Sequence, residues 1–78
     1  MEIQRGSLVY SIQGRDKGSL FLVLKKEGDF VYLADGDQRK LENPKKKKIK
    51  HINKTNTLVE IDFENISNSE IRKMLKKA

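Results

Sequence analysis

The sequence predicts a mainly β fold, a small barrel of short strands followed by a short C-terminal α-helix. Three observations predict it. Short apolar runs recur at close spacing, separated by Gly, Asp and Asn turn signals, which is the pattern of a small barrel rather than of βαβ units. Residues 57–64 alternate Val59, Ile61 and Phe63 with Glu60, Asp62 and Glu64, the period of a half-buried strand. Ser67 and Glu70 then stand three apart, ahead of Ile71, Met74 and Leu75, which form a capping box and an apolar helical stripe. The chain has 78 residues, enough for one small domain with a modest core.

Each element has its own local reason. Residues 6–12 carry Leu8, Val9, Tyr10 and Ile12, a strand ended by Gln13 and Gly14. Residues 14–18 read Gly-Arg-Asp-Lys-Gly, a tight polar loop whose two glycines can supply positive φ angles. Five consecutive apolar residues within 19–25 predict a buried strand, and Glu27-Gly28-Asp29 turns the chain into another at 30–34. Asp35-Gly36 is a hairpin signal and predicts a reversal into residues 38–41. Asn43 is biased towards extended geometry by Pro44. In a strand beyond it, Lys47, Ile49 and His51 would share one face, with Lys48, Lys50 and Ile52 on the other. Ser67 caps a helix over about 68–77, whose Lys73, Lys76 and Lys77 complement the C-terminal end of the dipole. The expected division is a barrel over 1–57 and an extension over 58–78, made of a strand-like segment and the helix.

Charge is concentrated. The chain has 17 Lys and Arg against 11 Asp and Glu, a formal net charge of +6. Residues 38–54 hold eight basic side chains (Arg39, Lys40, Lys45, Lys46, Lys47, Lys48, Lys50 and Lys54) and one acid, Glu42. The rest is therefore nearly neutral, and the block points to a polyanionic partner, because clustered cations release counterions condensed on a phosphate backbone. A solvated lysine run or a nuclear-localisation address would have the same composition. The block, however, lies between a hairpin signal and an apolar strand, with Ile49 and Ile52 as anchors, which favours a folded phosphate-binding rim.

The loop and its surroundings resemble the KOW motif: a strand with Val9, the Gly-Arg-Asp-Lys-Gly turn, then a strand with Phe21 and Val23. Ala34-Asp35-Gly36, Arg39-Lys40-Leu41, Pro44-Lys45-Lys46 and Lys50-His51 extend the likeness to small bacterial KOW-domain RNA-binding proteins. Those are related to the large-subunit ribosomal protein families L-fourteen-e, L-six-e and L-twenty-seven-e. The resemblance covers about residues 6–57 and departs at Ser19, where many KOW sequences carry a lysine. It implies an SH3-like five-stranded barrel that binds RNA, typically in a ribosomal setting.

Other chemistry is poorly supplied. There is no Cys and one His, His51, so neither a thiolate metal site nor a thiol nucleophile exists, and no metal or cofactor is expected. Asp35 and Asp37 lack calcium-loop spacing and read as turn residues, and no P-loop or nucleophile elbow occurs. No enzymatic activity and no small-molecule substrate are expected. The longest apolar run, residues 20–24, is far short of the roughly 20 residues that span a membrane, and no signal-peptide-like stretch opens the chain. A cytoplasmic protein, monomeric when free, is expected.

The leading expectation is thus a non-catalytic RNA-binding protein acting on ribosomal or other structured RNA. Arg15, Lys17, Arg39, Lys40, Lys45, Lys46, Lys47, Lys48, Lys50, His51 and Lys54 would contact the RNA, and Gly14 and Gly18 would let the backbone approach. Most aromatics fall within apolar strands and Tyr10 and Tyr32 are the spare ones, which favours reading shape and backbone charge over a single strand. The rival from another class is a protein-interaction adaptor of the NusG-type KOW kind, contacting ribosomal proteins or RNA polymerase, with Glu60, Asp62 and Glu64 as a docking edge.

Overall fold

A computed structural model describes residues 2–78. In chain order it contains β1 (Ser7–Ser11), β2 (Leu20–Glu27), β3 (Phe30–Ala34), β4 (Lys45–Lys48), a 3₁₀ turn (Ile49–His51), β5 (Ile52–Leu58) and α1 (Asn68–Lys77). The fold is mainly β. The five strands form one antiparallel sheet in the order β4-β3-β2-β1-β5.

The two edge strands follow one another in sequence, and that constrains the sheet. Laid flat, five strands about 4.8 Å apart would separate β4 from β5 by roughly 19 Å. The four steps from Lys48 to Ile52 reach at most about 14 Å. The sheet must therefore curl. Two irregularities help it do so, since bulges bend and twist a strand. One shifts the β2/β3 register between Val23 and Lys25, the other the β1/β5 register between Ser7 and Val9. At the second, the Thr55 hydroxyl donates to the Leu8 carbonyl at 2.8 Å, replacing a ladder bond. Among the described residues β4 and β5 do not pair, so the sheet is not closed into a barrel.

Both faces of the sheet are covered. Val9, Phe21, Val23, Val31, Leu33 and Ile52 pack inside the curl, with Ile3 and Ile49 at the margin. On the other face Leu8, Leu22 and Ala34 meet Ile71 of α1, flanked by Val59, Ile61, Phe63 and Met74. This double burial explains the unbroken apolar run of β2, where alternate residues enter different cores. The Cα radius of gyration, 11.1 Å, matches the roughly 11.5 Å expected of a compact domain of this length, as a docked extension requires. Ser67 caps α1 by accepting from the Glu70 amide at 3.1 Å.

Three local expectations need correction. Residues 38–41 do not form a strand. Asp35 closes a turn on itself, its Oδ1 accepting from the Asp37 and Arg39 amides at 2.9 and 2.8 Å, while the Asp35 and Gly36 amides both bond to the Arg39 carbonyl. These local bonds use up the groups a ladder would need. Strand geometry returns only at Lys45, and it stops at Lys48. The 3₁₀ turn then breaks the alternation that would have put Lys47, Ile49 and His51 on one face. Finally, the strand expected at 57–64 lies earlier, as β5, and crosses position 57. After Val59, whose amide donates to the Gly6 carbonyl at 2.8 Å, pairing ends. Val59, Ile61 and Phe63 remain half-buried and their acidic neighbours exposed, so the alternation reflects packing on the second core, not a ladder.

Candidate functional site

The basic block is sorted by the two-residue period of β4. Its register against β3 pairs Leu33 with Lys45, Val31 with Lys47, Tyr32 with Lys46 and Phe30 with Lys48. Val31 and Leu33 belong to the inner core, so Lys45 and Lys47 project on the concave side. Lys46 and Lys48 project on the convex side.

On the concave side one acid organises the site. Lys47, only 8% exposed, donates from Nζ to Asp16 Oδ1 at 2.7 Å and to the Gln13 carbonyl at 2.6 Å. Lys45 Nζ lies 3.0 Å from Asp16 Oδ2, and the buried Ser11 hydroxyl reaches Asp16 Oδ1 at 2.7 Å. Burial alone would push the Asp16 carboxyl up. The hydrogen bonds from Lys47, Ser11 and Lys45, together with the Lys47 charge, outweigh it and hold the carboxyl far below the usual carboxylate range. Gly14 and Gly18 both take φ of +89° around this acid, with Lys17 N bonded to the Gly14 carbonyl and Gly18 N to the Ser11 carbonyl. The loop is thus pinned to β4. A cleft of about 460 Å³ beside the pair is lined by Arg15, Arg39 and Lys45 together with Asp16 and Asp35.

On the convex side the lysines meet an aromatic ring. Lys46 Nζ sits 4.5 Å and Lys48 Nζ 6.0 Å from the centroid of Phe30, a half-buried residue, distances at which the ring face attracts a cation. A second cleft, of about 530 Å³, is lined by Asp29, Phe30, Lys48, Ile49 and Lys50. The Ile49 amide donates to the Asp29 carbonyl at 2.8 Å and fixes its wall.

The expected contact residues are therefore distributed unequally. Arg15 and Arg39 come together with Lys45, and Lys46, Lys48 and Lys50 gather at Phe30. Lys47 and Lys45, expected on the phosphate rim, are taken up by Asp16. Lys17, Lys40 and Lys54 are exposed but join neither cleft, and His51 is half-buried in the 3₁₀ turn, its carbonyl accepting from Ile12 N at 2.9 Å. Tyr10 is exposed, whereas Tyr32 is half-buried with Lys25 over its ring at 5.8 Å.

Four contributing residues lie outside the sequence reading. From sequence, Asp16 has no role beyond membership of the 14–18 loop; the strand period of β4 turns two lysines inward, and they need an acid. Phe30 opens an apolar run, and the sequence pattern places it with the core. Asn68 and Arg72 of α1 hold the 35–44 loop: Asn68 Oδ1 accepts from the Leu41 amide at 2.8 Å, and Arg72 donates to the Gly36 carbonyl at 2.5 Å. Gly36 is required there, because its φ is +78° and a Cβ would run into the Asn68 carbonyl. Among the described residues no cluster of three or more His, Cys, Asp or Glu could hold a metal ion, and no helix is long and apolar enough to cross a membrane. No protein-family model matches the chain, and no curated protein matches it.

Proposed function

We propose that the chain is a non-catalytic RNA-binding module of the KOW type, an SH3-like, partly open barrel that acts on ribosomal or other structured RNA in the cytoplasm. The strand order, with consecutive edge strands joined by a 3₁₀ turn, supports the barrel reading. One observation carries the functional reading. Among the described residues Asp16 is the one acid in ion-pair contact with segment 38–54, so most of that segment's positive charge is free to meet phosphates. With Lys45 and Lys47 engaged internally, six basic side chains of the segment remain for phosphate contacts, and log affinity for structured RNA should fall with log salt at a slope of about −4 to −5.5. Filter binding to ribosomal RNA across a salt series tests this, and a slope near zero overturns it.

A protein-interaction adaptor is the second reading. Among the described residues the outer edge of β5 is unpaired, and it leads into exposed Glu60, Asp62 and Glu64. Reversing the charge of Lys46 and Lys48 separates the two. Loss of RNA binding with ribosome co-sedimentation intact favours the adaptor.

A further inference from the structure

We infer that Phe30 is a stacking platform for a single unpaired RNA base, with Lys48 and Lys50 taking the phosphate beside it; this rests on the RNA-binding reading. Phe30 opens β3 directly after the Gly28-Asp29 turn and stays half-exposed, while the other phenylalanine of the sheet, Phe21, is buried in the inner core. An aromatic left at a lysine-lined cleft adds little to the core but offers a flat apolar surface next to cations. The cleft volume, about 530 Å³, lies within the roughly 300–1,000 Å³ typical of small-ligand sites, room enough for one nucleotide.

The chemistry suits the two halves of a nucleotide separately. The electron-rich face of Phe30 that draws Lys46 and Lys48 is also a stacking surface for a base, and stacking tolerates any base because each has a π-face. A stacked base takes the place of the ammonium groups over the ring, both carried on exposed, flexible side chains; Lys48, at 6.0 Å the looser of the two contacts, can leave the ring for a phosphate oxygen. Lys50, exposed on the 3₁₀ turn at the same cleft, supplies a second ammonium. The module would then recognise structured RNA at a bulge, joining backbone charge to one stacked base.

The test uses two RNA duplexes of similar charge, one fully paired and one carrying a single bulged 2-aminopurine. Saturating wild-type protein should change the 2-aminopurine fluorescence; no change at saturation overturns the stacking site without any variant. Phe30→Leu should weaken binding to the bulged duplex about tenfold more than binding to the paired one, within the range of one lost base stack. Phe30→Tyr should restore it. Equal losses on both duplexes, or on neither, overturn the inference. A wild-type protein that binds neither duplex overturns the RNA-binding reading as well.

Discussion

Lys45 and Lys47 differ from Lys46 and Lys48 only in parity along one strand, and that parity decides what each pair does. The concave pair closes on Asp16 and ties the glycine loop to β4. The convex pair lies over a half-exposed ring and, among the described residues, has no acid in ion-pair contact. Four identical side chains thus split into architecture and free charge. A count of basic residues overstates a binding surface wherever a strand turns half of them inward. The concave pair also joins the two halves of the basic surface, since the carboxylate it grips belongs to the loop that carries Arg15 and Lys17.

The strongest way to break this comparison is to remove the acid. Asp16→Asn leaves Lys47 buried without a counter-charge and should cost about 3–5 kcal/mol in urea unfolding. Adding Lys47→Met should recover much of that, because the buried charge is gone. A loss below about 1 kcal/mol would mean that the concave lysines are as free as the convex ones. The pH dependence has a fixed sign. The folded carboxyl is depressed, so its contribution is complete above the unfolded value near 4 and fades only as pH falls towards the lower folded value. The stability gap between wild type and Asp16→Asn should therefore be constant from pH 5 to 8 and narrow in acid below about pH 4.

The convex face should give the opposite pattern. Lys46→Ala with Lys48→Ala removes two candidate phosphate contacts. The salt slope should become shallower by about 1.5, and RNA affinity at 0.1 M salt should drop about 30-fold. Stability should move by no more than about 0.5 kcal/mol, since both side chains are exposed. Lost stability with unchanged affinity would reverse the assignment of the two faces.

How much of this was legible follows from what each signal depends on. The first three strands, the cap at Ser67 and the helix register are written in local pattern, and they appear where the residues put them. The errors cluster where a local pattern had two solutions. Asp35-Gly36 can start a hairpin or close an Asx turn, and the choice depends on Asn68 and Arg72, more than 30 residues away along the chain from the turn. The alternation at 59–63 fits a strand or an extended cover, and the packing of Val59, Ile61 and Phe63 on the second core, brought together only by the folded chain, selects the second. The charge block was visible at once, but its division required the register of β4 against β3, which no local pattern holds. Asn68→Ala probes that long-range dependence. It strips the Leu41 amide of its acceptor, and should cost about 1–2 kcal/mol while making that amide exchange faster in deuterium oxide.

The smallest expected effect sharpens the comparison most finely. The Ser11 hydroxyl, in a residue 1% exposed, lies 2.7 Å from Asp16 Oδ1 and 3.0 Å from the Gln13 carbonyl. Both acceptors are also bonded by Lys47 Nζ. Because one hydroxyl hydrogen cannot serve two acceptors in full, Ser11 is a supplement to Lys47. Ser11→Ala leaves both oxygens with a charged donor and should cost only about 1 kcal/mol, well short of Asp16→Asn. RNA affinity should hold, since the loop stays pinned through the lysines. If Ser11→Ala instead matched Asp16→Asn, the hydroxyl and not the concave lysines would be holding the loop, and Lys45 and Lys47 would return to the pool of free charge with Lys46 and Lys48.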